Sequence, residues 1–164
     1  MTTATVLAPW FNRVAQWFDD RNLTTGSNPQ KQYGKLLEEL AELYQASNAG
    51  DVEGVKDAIG DASVVMAGCM HQLDGVWPAL SETPPPKSMP HCLNELIEAV
   101  AKIPRMDSWR HAETFGFPCL SIRILLSQVA IEHGLTLEQC EEHAWGEIRH
   151  RTGKMIDGVF VKDA

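Results

Sequence analysis

The sequence is short of positive charge, of paired cysteines and of long apolar runs. It has 14 Lys and Arg against 22 Asp and Glu, a formal net charge of −8, which disfavours nucleic-acid polymers because a basic face supplies most of that affinity. No apolar run approaches the roughly 20 residues that span a bilayer, and Met1 to Pro9 place no basic residue ahead of an apolar segment. We therefore predict a cytoplasmic protein that partners neither a nucleic-acid polymer nor a membrane.

The four cysteines form no CxxC pair, and three of them sit in apolar stretches. This usage predicts reduced thiols packed in a core and no disulfide. A zinc site is the alternative, although its candidate ligands do not have one of the usual zinc spacings. Those candidates are Cys140, His143, His91 and Cys92.

Helical periodicity covers most of the 164 residues. Residues 22–29 are rich in turn formers and predict a loop, and the Asp157-Gly158 pair between apolar residues predicts a small β-hairpin. Seven of the nine prolines lie between Pro78 and Pro118, which predicts an insertion over about 74–118, irregular at 74–90 and again up to Pro118. The predicted fold is all-α, a helical bundle forming one domain over 1–164, with helices at 9–21, 29–48, 51–73, 92–103, 119–133 and 136–151.

Carboxylates are concentrated on two of these helices. Three glutamates share one arc of the helix at 29–48, opposite its leucines, which on its own is typical of a solvated acidic face. Asp61, however, is the only charged residue between Ala58 and Met70, and a lone carboxylate in a buried run is unfavourable without a partner. If the two helices form a hairpin, up to five carboxylates converge: Glu38, Glu39, Glu42, Asp57 and Asp61.

Like charges about 5 Å apart repel by roughly 3 kcal/mol at an effective dielectric near 20. Converging carboxylates must therefore either be separated and solvated by water or bind cations. The candidate ligands are all oxygen atoms, with no His or Cys among them. Such a set favours Mg²⁺ or Mn²⁺ over zinc. Lys35 lies near the same arc and Lys31 lies one turn earlier, so both are candidate phosphate ligands; the alternative for each is an ordinary surface charge.

These residues resemble the MazG-like branch of the all-α nucleoside triphosphate pyrophosphohydrolases. The resemblance rests on Glu38-Glu39-x-x-Glu42 followed by an acidic helix ending at Asp61, and it extends over roughly Trp10 to Leu73 and Ile122 to Lys162. The family's second motif is ExxD, whereas Ala58 stands three residues before Asp61. Asp57 is the candidate replacement for the missing carboxylate.

The resemblance implies hydrolysis of (deoxy)nucleoside triphosphates to the monophosphate and pyrophosphate, with two or more Mg²⁺ (or Mn²⁺) ions on the five carboxylates. It implies that Glu38 and Glu39 are catalytic, and that Arg151 and Lys154 help to hold the phosphates. Gln32 is a candidate base reader and Trp10 a candidate stacking residue, although helical spacing equally predicts Trp10 in the core. Phage relatives of the MazZ branch imply a preference for dGTP or GTP in phage nucleotide metabolism, and the family implies a homodimer or homotetramer.

Two alternatives stay open at this point. One is a non-catalytic helical interaction module whose acidic face binds a basic partner. The other is a related pyrophosphohydrolase that acts on a different nucleotide.

Overall fold

The computed structural model describes residues 9–81, 89–105 and 107–163. In this part of the chain there are seven α-helices and one antiparallel two-stranded sheet, which confirms the all-α class. The prediction that there is no secretory signal concerns residues 1–8, and residues 82–88 form part of the predicted insertion. Both segments lie outside the described residues. The elements are α1 Pro9–Asp20, α2 Leu23–Gly26, α3 Pro29–Ala49, α4 Val52–Gln72, α5 Met89–Arg105, a 3₁₀ turn Ser108–Arg110, α6 Ala112–Glu132, α7 Leu137–Ile148, β1 Gly153–Ile156 and β2 Val159–Lys162.

Short-range signals set the ends of α3 and α4. The Asn28 side chain accepts a hydrogen bond from the Lys31 backbone N–H (2.9 Å), with a proline as the first residue of α3. Gly50 ends α3 in the left-handed region (φ 68°), and the Asp51 side chain caps α4 by accepting from Gly54 N–H (3.0 Å). Because only two residues join them, α3 and α4 form the expected antiparallel hairpin.

Helix α4 is the centre of the bundle and packs against α1, α3, α6 and α7. It is buried on nearly all sides between Val55 and Met70. Two glycines allow neighbouring helices to approach closely: Gly60 lies against the backbone of Cys140 on α7, and Gly68 lies against the ring of Phe18 on α1. This arrangement fixes Asp61 at a defined place on the buried helix.

We expect Gly68→Ala to lower the free energy of unfolding by about 1–3 kcal/mol, because the added Cβ would overlap the Phe18 ring in a packed core. Urea unfolding followed by circular dichroism measures the change. Gly146→Ala is the matched control on α7, since its Cβ would meet no described atom within 4 Å; it should gain up to about 1 kcal/mol from helix propensity. Equal stability of the two variants would contradict the close packing of α1 on α4.

A buried ion pair attaches the start of the insertion to the bundle. The Arg123 guanidinium on α6 donates to the Glu141 carboxylate on α7 (3.0 Å), and both side chains are buried. Arg123 also stacks on the Trp77 ring, 4.5 Å from its centroid, and donates to the Pro78 carbonyl. Burial raises the pKa of Glu141, and the charge of Arg123 opposes that rise. Residues 75–81 are thus held against the bundle without forming a helix or strand.

The predicted irregular stretch up to Pro118 was wrong, because α6 already begins at Ala112 and contains Pro118 in its interior. A proline there removes one backbone hydrogen bond, but Phe115, Pro118, Cys119 and Ile122 are all buried, and tertiary burial outweighs the local penalty. The predicted loop at 22–29 likewise contains the short helix α2.

Helix α6 is also the one described helix whose length and composition would let it cross a membrane. The sequence prediction concerned uninterrupted apolar runs, and this helix contains Glu113, Arg123 and Glu132. Of the apolar window in this helix, 61% is buried inside the bundle, as in the core helix of a globular domain. Such a helix is weak evidence for a membrane span.

Candidate functional site

A pocket of about 520 Å³ opens between α1, α3, α4 and the C-terminal hairpin. This volume is within the range of small-molecule sites, roughly 300–1,000 Å³. Its wall has three chemical parts: carboxylates from α3 and α4, basic side chains from α3 and the C-terminal segment, and apolar side chains from α1, α4 and the hairpin. The α3–α4 hairpin and the β-hairpin therefore face each other across one cleft.

The carboxylates in the pocket are Glu39 and Glu42 of α3 and Asp61 of α4. Glu39 is only 6% exposed. Burial raises the pKa of Glu39 to about 7, the negative charges of Asp61 and Glu42 add to that rise, and Lys35 opposes it. Glu39 is thus a carboxyl group that can gain or lose a proton near neutral pH.

Asp61 is a carboxylate with a buried oxygen, Oδ1, that has no hydrogen-bond partner among the described residues. Burial raises the pKa of Asp61 to about 6, the charge of Asp57 adds to the rise, and Arg151 opposes it. A buried carboxylate oxygen without a partner is costly, so the geometry favours a positively charged group at this position.

Basic side chains face these carboxylates. Lys31 and Lys35 come from α3, whereas Arg151 and Lys162 come from the C-terminal segment. Lys35 forms an ion pair with Glu38 at the rim and lies 3.7 Å from a Glu39 oxygen. Burial acts to lower the pKa of Lys35, but the bond to Glu38 and the neighbouring glutamates raise it overall, so the ammonium stays charged.

The remaining wall is apolar, with one amide. The Gln32 side chain is buried, and its Nε2 donates to the Ser27 hydroxyl (3.1 Å). The Phe160 ring meets the Trp17 ring edge-on, with centroids 5.5 Å apart. The apolar lining consists of Trp17, Phe18, Leu23, Val64, Val65, Ile148, Val159, Phe160 and Val161. The pocket thus combines charged and apolar lining residues.

Seven of the residues singled out in the sequence line this one pocket. They come from three separate parts of the chain, and the α3–α4 hairpin together with the turn after α7 brings them together. They are Lys31, Gln32, Lys35, Glu39, Glu42, Asp61 and Arg151.

Two predicted carboxylates lie outside the pocket lining. Glu38 is 61% exposed and bonded to Lys35, because it faces the solvent side of α3. Asp57 is half-exposed and lies 3.5 Å from a His143 nitrogen. Ala58, where the family motif has its second carboxylate, is buried. The structure therefore does not bring Asp57 into the place of the missing ligand, although its charge is felt at Asp61.

Two predicted substrate contacts are corrected by the structure. The Trp10 indole is buried, packs on Trp77 and donates its N–H to the Glu141 carbonyl (2.7 Å), so it is a core residue. Lys154 lies on the exposed face of β1 and does not line the pocket.

The sequence reasoning missed the contribution of the β-hairpin to the pocket. Gly158, Phe160 and Lys162 all line the pocket. The signal for them was present, since the Asp157-Gly158 turn predicted a hairpin, but nothing local indicated which part of the bundle the hairpin covers. The zinc alternative gains no support: the four cysteines are buried and none is in a disulfide, and burial raises the pKa of the Cys140 thiol to about 12.

Among the described residues, no three His, Cys, Asp or Glu side chains are grouped closely enough to form a ready-made metal centre. The three pocket carboxylates share a cleft and feel each other's charge. They do not converge on a single point.

The fold and the pocket together define an all-α bundle with a cleft lined by both carboxylates and basic side chains and closed on one side by a small hairpin. The chain is 31% identical, over 159 residues, to a protein of Haemophilus phage HP1 (strain HP1c1) described as an uncharacterized 18.2 kDa protein in the rep-hol intergenic region. The match covers 81% of this chain and 94% of that protein, so the chain belongs to the family of this phage protein. No protein-family model and no solved structure matches it.

Proposed function

We propose that this protein is a Mg²⁺- or Mn²⁺-dependent hydrolase that converts (deoxy)nucleoside triphosphates to the monophosphate and pyrophosphate. The observation that carries the proposal is the pocket itself: carboxylates with raised pKa values, one with an unpartnered buried oxygen, face four basic side chains beside an apolar wall. The motif resemblance to the MazG-like pyrophosphohydrolases supports the same activity, and the phage relative is consistent with a role in phage nucleotide metabolism.

The donor set suits a hard divalent cation. Glu39, Glu42 and Asp61 would hold it, whereas Glu38 and Asp57, which were also predicted as ligands, lie outside the pocket lining. All are oxygen ligands, and the buried Oδ1 of Asp61 lacks the positive partner that a cation would provide. Mg²⁺ usually keeps several waters and substrate oxygens, so a complete protein cage is not required. When bound, such ions would neutralise the polyphosphate and lower the pKa of a water.

The chain's own residues would perform the remaining steps. Arg151, Lys35 and Lys162 would bind the phosphates and position the α-phosphorus, which is most of what phosphoryl transfer requires. Glu39, which lies in the pocket beside Glu42 and Asp61, would help to orient the attacking water. Glu38, bonded to Lys35, would help to orient that lysine.

The apolar lining of the pocket would receive the base. Gln32 is the buried amide beside it and would hydrogen-bond a base edge. We include dGTP and GTP as the preferred substrates because of the resemblance to MazZ. The protein would act in the host cytoplasm.

Self-association into a homodimer or homotetramer is part of the proposal. Helix α3 leaves Leu37 46% and Tyr44 49% exposed, and these residues line an apolar groove against Ile97 of α5. Exposed apolar grooves of this kind are typical of protein interfaces.

The experiment that tests the function is product analysis by ion-exchange chromatography. The protein is incubated with each of the common ribo- and deoxyribonucleoside triphosphates, with Mg²⁺, with Mn²⁺ and with EDTA. We expect metal-dependent monophosphate and pyrophosphate. Diphosphate and phosphate would overturn the assigned bond cleavage, and no turnover with either metal would overturn the assignment of the common triphosphates as substrates.

The second candidate is a non-catalytic module whose acidic surface binds a basic partner. It is favoured by one observation, that no three potential ligands among the described residues are grouped for a metal ion. It predicts no turnover and no stabilisation by Mg²⁺ or Mn²⁺. A pyrophosphohydrolase for a different nucleotide would instead show metal-dependent stabilisation but no turnover of the common triphosphates.

A further inference from the structure

We propose that the C-terminal hairpin is a lid over the charged pocket and that Lys31 holds it in the docked position. Lys31 thereby acts as a positioning residue and is not a primary phosphate ligand. The hairpin supplies one wall of the pocket through Gly158, Phe160 and Lys162. Only the identity of the ligand rests on the proposed function; the attachment of the hairpin does not.

Lys31 is the polar attachment of the hairpin turn. Its ammonium donates a hydrogen bond to the Asp157 backbone carbonyl (2.8 Å). The turn residues Asp157 (φ 51°) and Gly158 (φ 79°) are both in the left-handed region, as a two-residue type I′ turn requires. A Cβ on Gly158 would overlap the end of the Lys31 side chain. Glycine is therefore required at position 158 for two reasons. The turn needs a positive φ, and the Lys31 side chain lies directly across this residue.

The rest of the hairpin is lightly held. A two-stranded hairpin is marginally stable by itself in water. Its inward-facing residues Met155 and Phe160 are only partly buried, and Ile156, Val159 and Val161 are more than 40% exposed. Segments with few buried contacts lie at the low end of local stability. Docking against Lys31, Trp17 and helix α2 thus keeps this wall of the pocket in place.

The base of the hairpin is fixed, so motion there would be a hinge. The Arg21 guanidinium stacks on Trp17 (4.6 Å) and donates to the Arg151 carbonyl (2.9 Å). Beyond it, the Asp163 amide donates to the Thr152 carbonyl (2.9 Å), so the two strands stay paired as one unit. The unit can open only at residues 151–152. Arg151 then remains in the pocket while Phe160 and Lys162 move with the lid.

A polyanion in the pocket would bridge the two walls. It would contact Lys35 and Arg151 on the fixed side and Lys162 on the hairpin. A ligand that contacts both walls stabilises the closed state by its differential affinity. Binding should therefore protect the hairpin, and loss of Lys31 should open it without ligand.

Hydrogen exchange with mass spectrometry on the full chain tests the attachment. Without ligand, amides of residues 153–162 should exchange about two- to tenfold faster in Lys31→Met, the effect of losing one solvent-exposed hydrogen bond of ordinary strength, while α4 peptides stay unchanged. Lys31→Arg should restore most of the protection, and Gly158→Ala should lose it. Lys102→Met, an exposed lysine in the last turn of α5, is the control. Unchanged exchange in Lys31→Met would overturn the proposal.

The second arm adds inorganic tripolyphosphate with Mg²⁺, a probe that needs no turnover. Slower exchange of residues 153–162 in the wild type, and a weaker response in Lys31→Met, is the expected result. Two results would overturn the lid. In one, the exchange of residues 153–162 stays the same although the probe saturates the protein; in the other, the probe does not bind. If the lid responds but no nucleoside triphosphate is hydrolysed, the proposed function fails and this inference stands.

Discussion

Asp61→Asn should reduce kcat/KM for the preferred triphosphate by about 10²- to 10³-fold, the usual cost of removing one preorganised electrostatic group. The substitution keeps the shape of the side chain but removes its charge. Asp61 projects from the buried helix α4 and leaves Oδ1 without a hydrogen-bond partner among the described residues. An amide there would not hold a cation in the way a carboxylate does.

The same substitution should leave the metal-free protein as stable as the wild type or more stable. The pKa of Asp61 is raised mainly by burial and then by the charge of Asp57, so its ionised form is unfavourable in the folded state. A residue kept only for the fold would not give lower activity together with higher stability. A lower kcat/KM together with an equal or higher free energy of unfolding therefore distinguishes a functional role of Asp61 from a purely structural one.

Steady-state kinetics and urea unfolding on the same preparations measure the two effects. Glu53→Gln is the matched control: it removes a carboxylate from the first turn of the same helix, where Glu53 is exposed and pairs with Lys56. It should leave kcat/KM within about twofold, as for most surface changes. Full activity in Asp61→Asn would contradict the assignment of the pocket as the active site.

The second large effect is a fall in stability as the pH rises from 5 to 8 in the absence of divalent metal. The pKa of Glu39 is about 7 in the folded chain against an ordinary 4.5, and that of Asp61 is about 6 against 3.8. The folded state therefore binds more protons than the unfolded state over this range, so ∂ΔG/∂pH is negative. The stabilisation is present at the acid end and is lost as the pH rises through the folded pKa values.

The expected loss is about 1–3 kcal/mol between pH 5 and pH 8, since the charge of Asp61 contributes to the raised pKa of Glu39 and the two effects therefore do not simply add. Denaturant unfolding at several pH values in EDTA measures it. Mn²⁺ or Mg²⁺ at pH 8 should reverse the loss, because a ligand that binds only the folded state stabilises it by mass action.

Asp61→Asn supplies the control for this pH series. It should flatten the pH slope and abolish the metal-dependent gain, whereas Glu53→Gln should change neither. A wild-type stability that rises between pH 5 and 8 in EDTA would contradict the buried state of the pocket carboxylates. A metal effect that persists in Asp61→Asn would place the cation elsewhere.

Several features could be read from the sequence because they depend on neighbours in the chain. The capping residues Asn28 and Asp51, the left-handed Gly50 and the Asp157-Gly158 turn each act through bonds within a few residues. The Glu39, Glu42 and Asp61 set was also recognisable, since helical spacing fixes which residues share a face and a two-residue connection forces the helices antiparallel.

Other features depended on packing, which local patterns do not encode. Helical spacing placed Leu37 and Tyr44 with the core leucines, yet they are exposed, because α4 covers only part of that arc. Spacing also placed Glu38 beside Glu39. A rotation of about 100° between consecutive residues leaves one at the solvent and the other in the pocket.

The sequence by itself determined the helical class, the ends of α3 and α4, the hairpin and the identity of the acidic residues, because these follow from short-range geometry and composition. Only the tertiary structure decided that α6 continues through Pro118, that Trp10 belongs to the core, and that the β-hairpin, with Lys162, closes the cleft. Those outcomes depend on long-range burial, where contacts between distant segments outweigh local propensity.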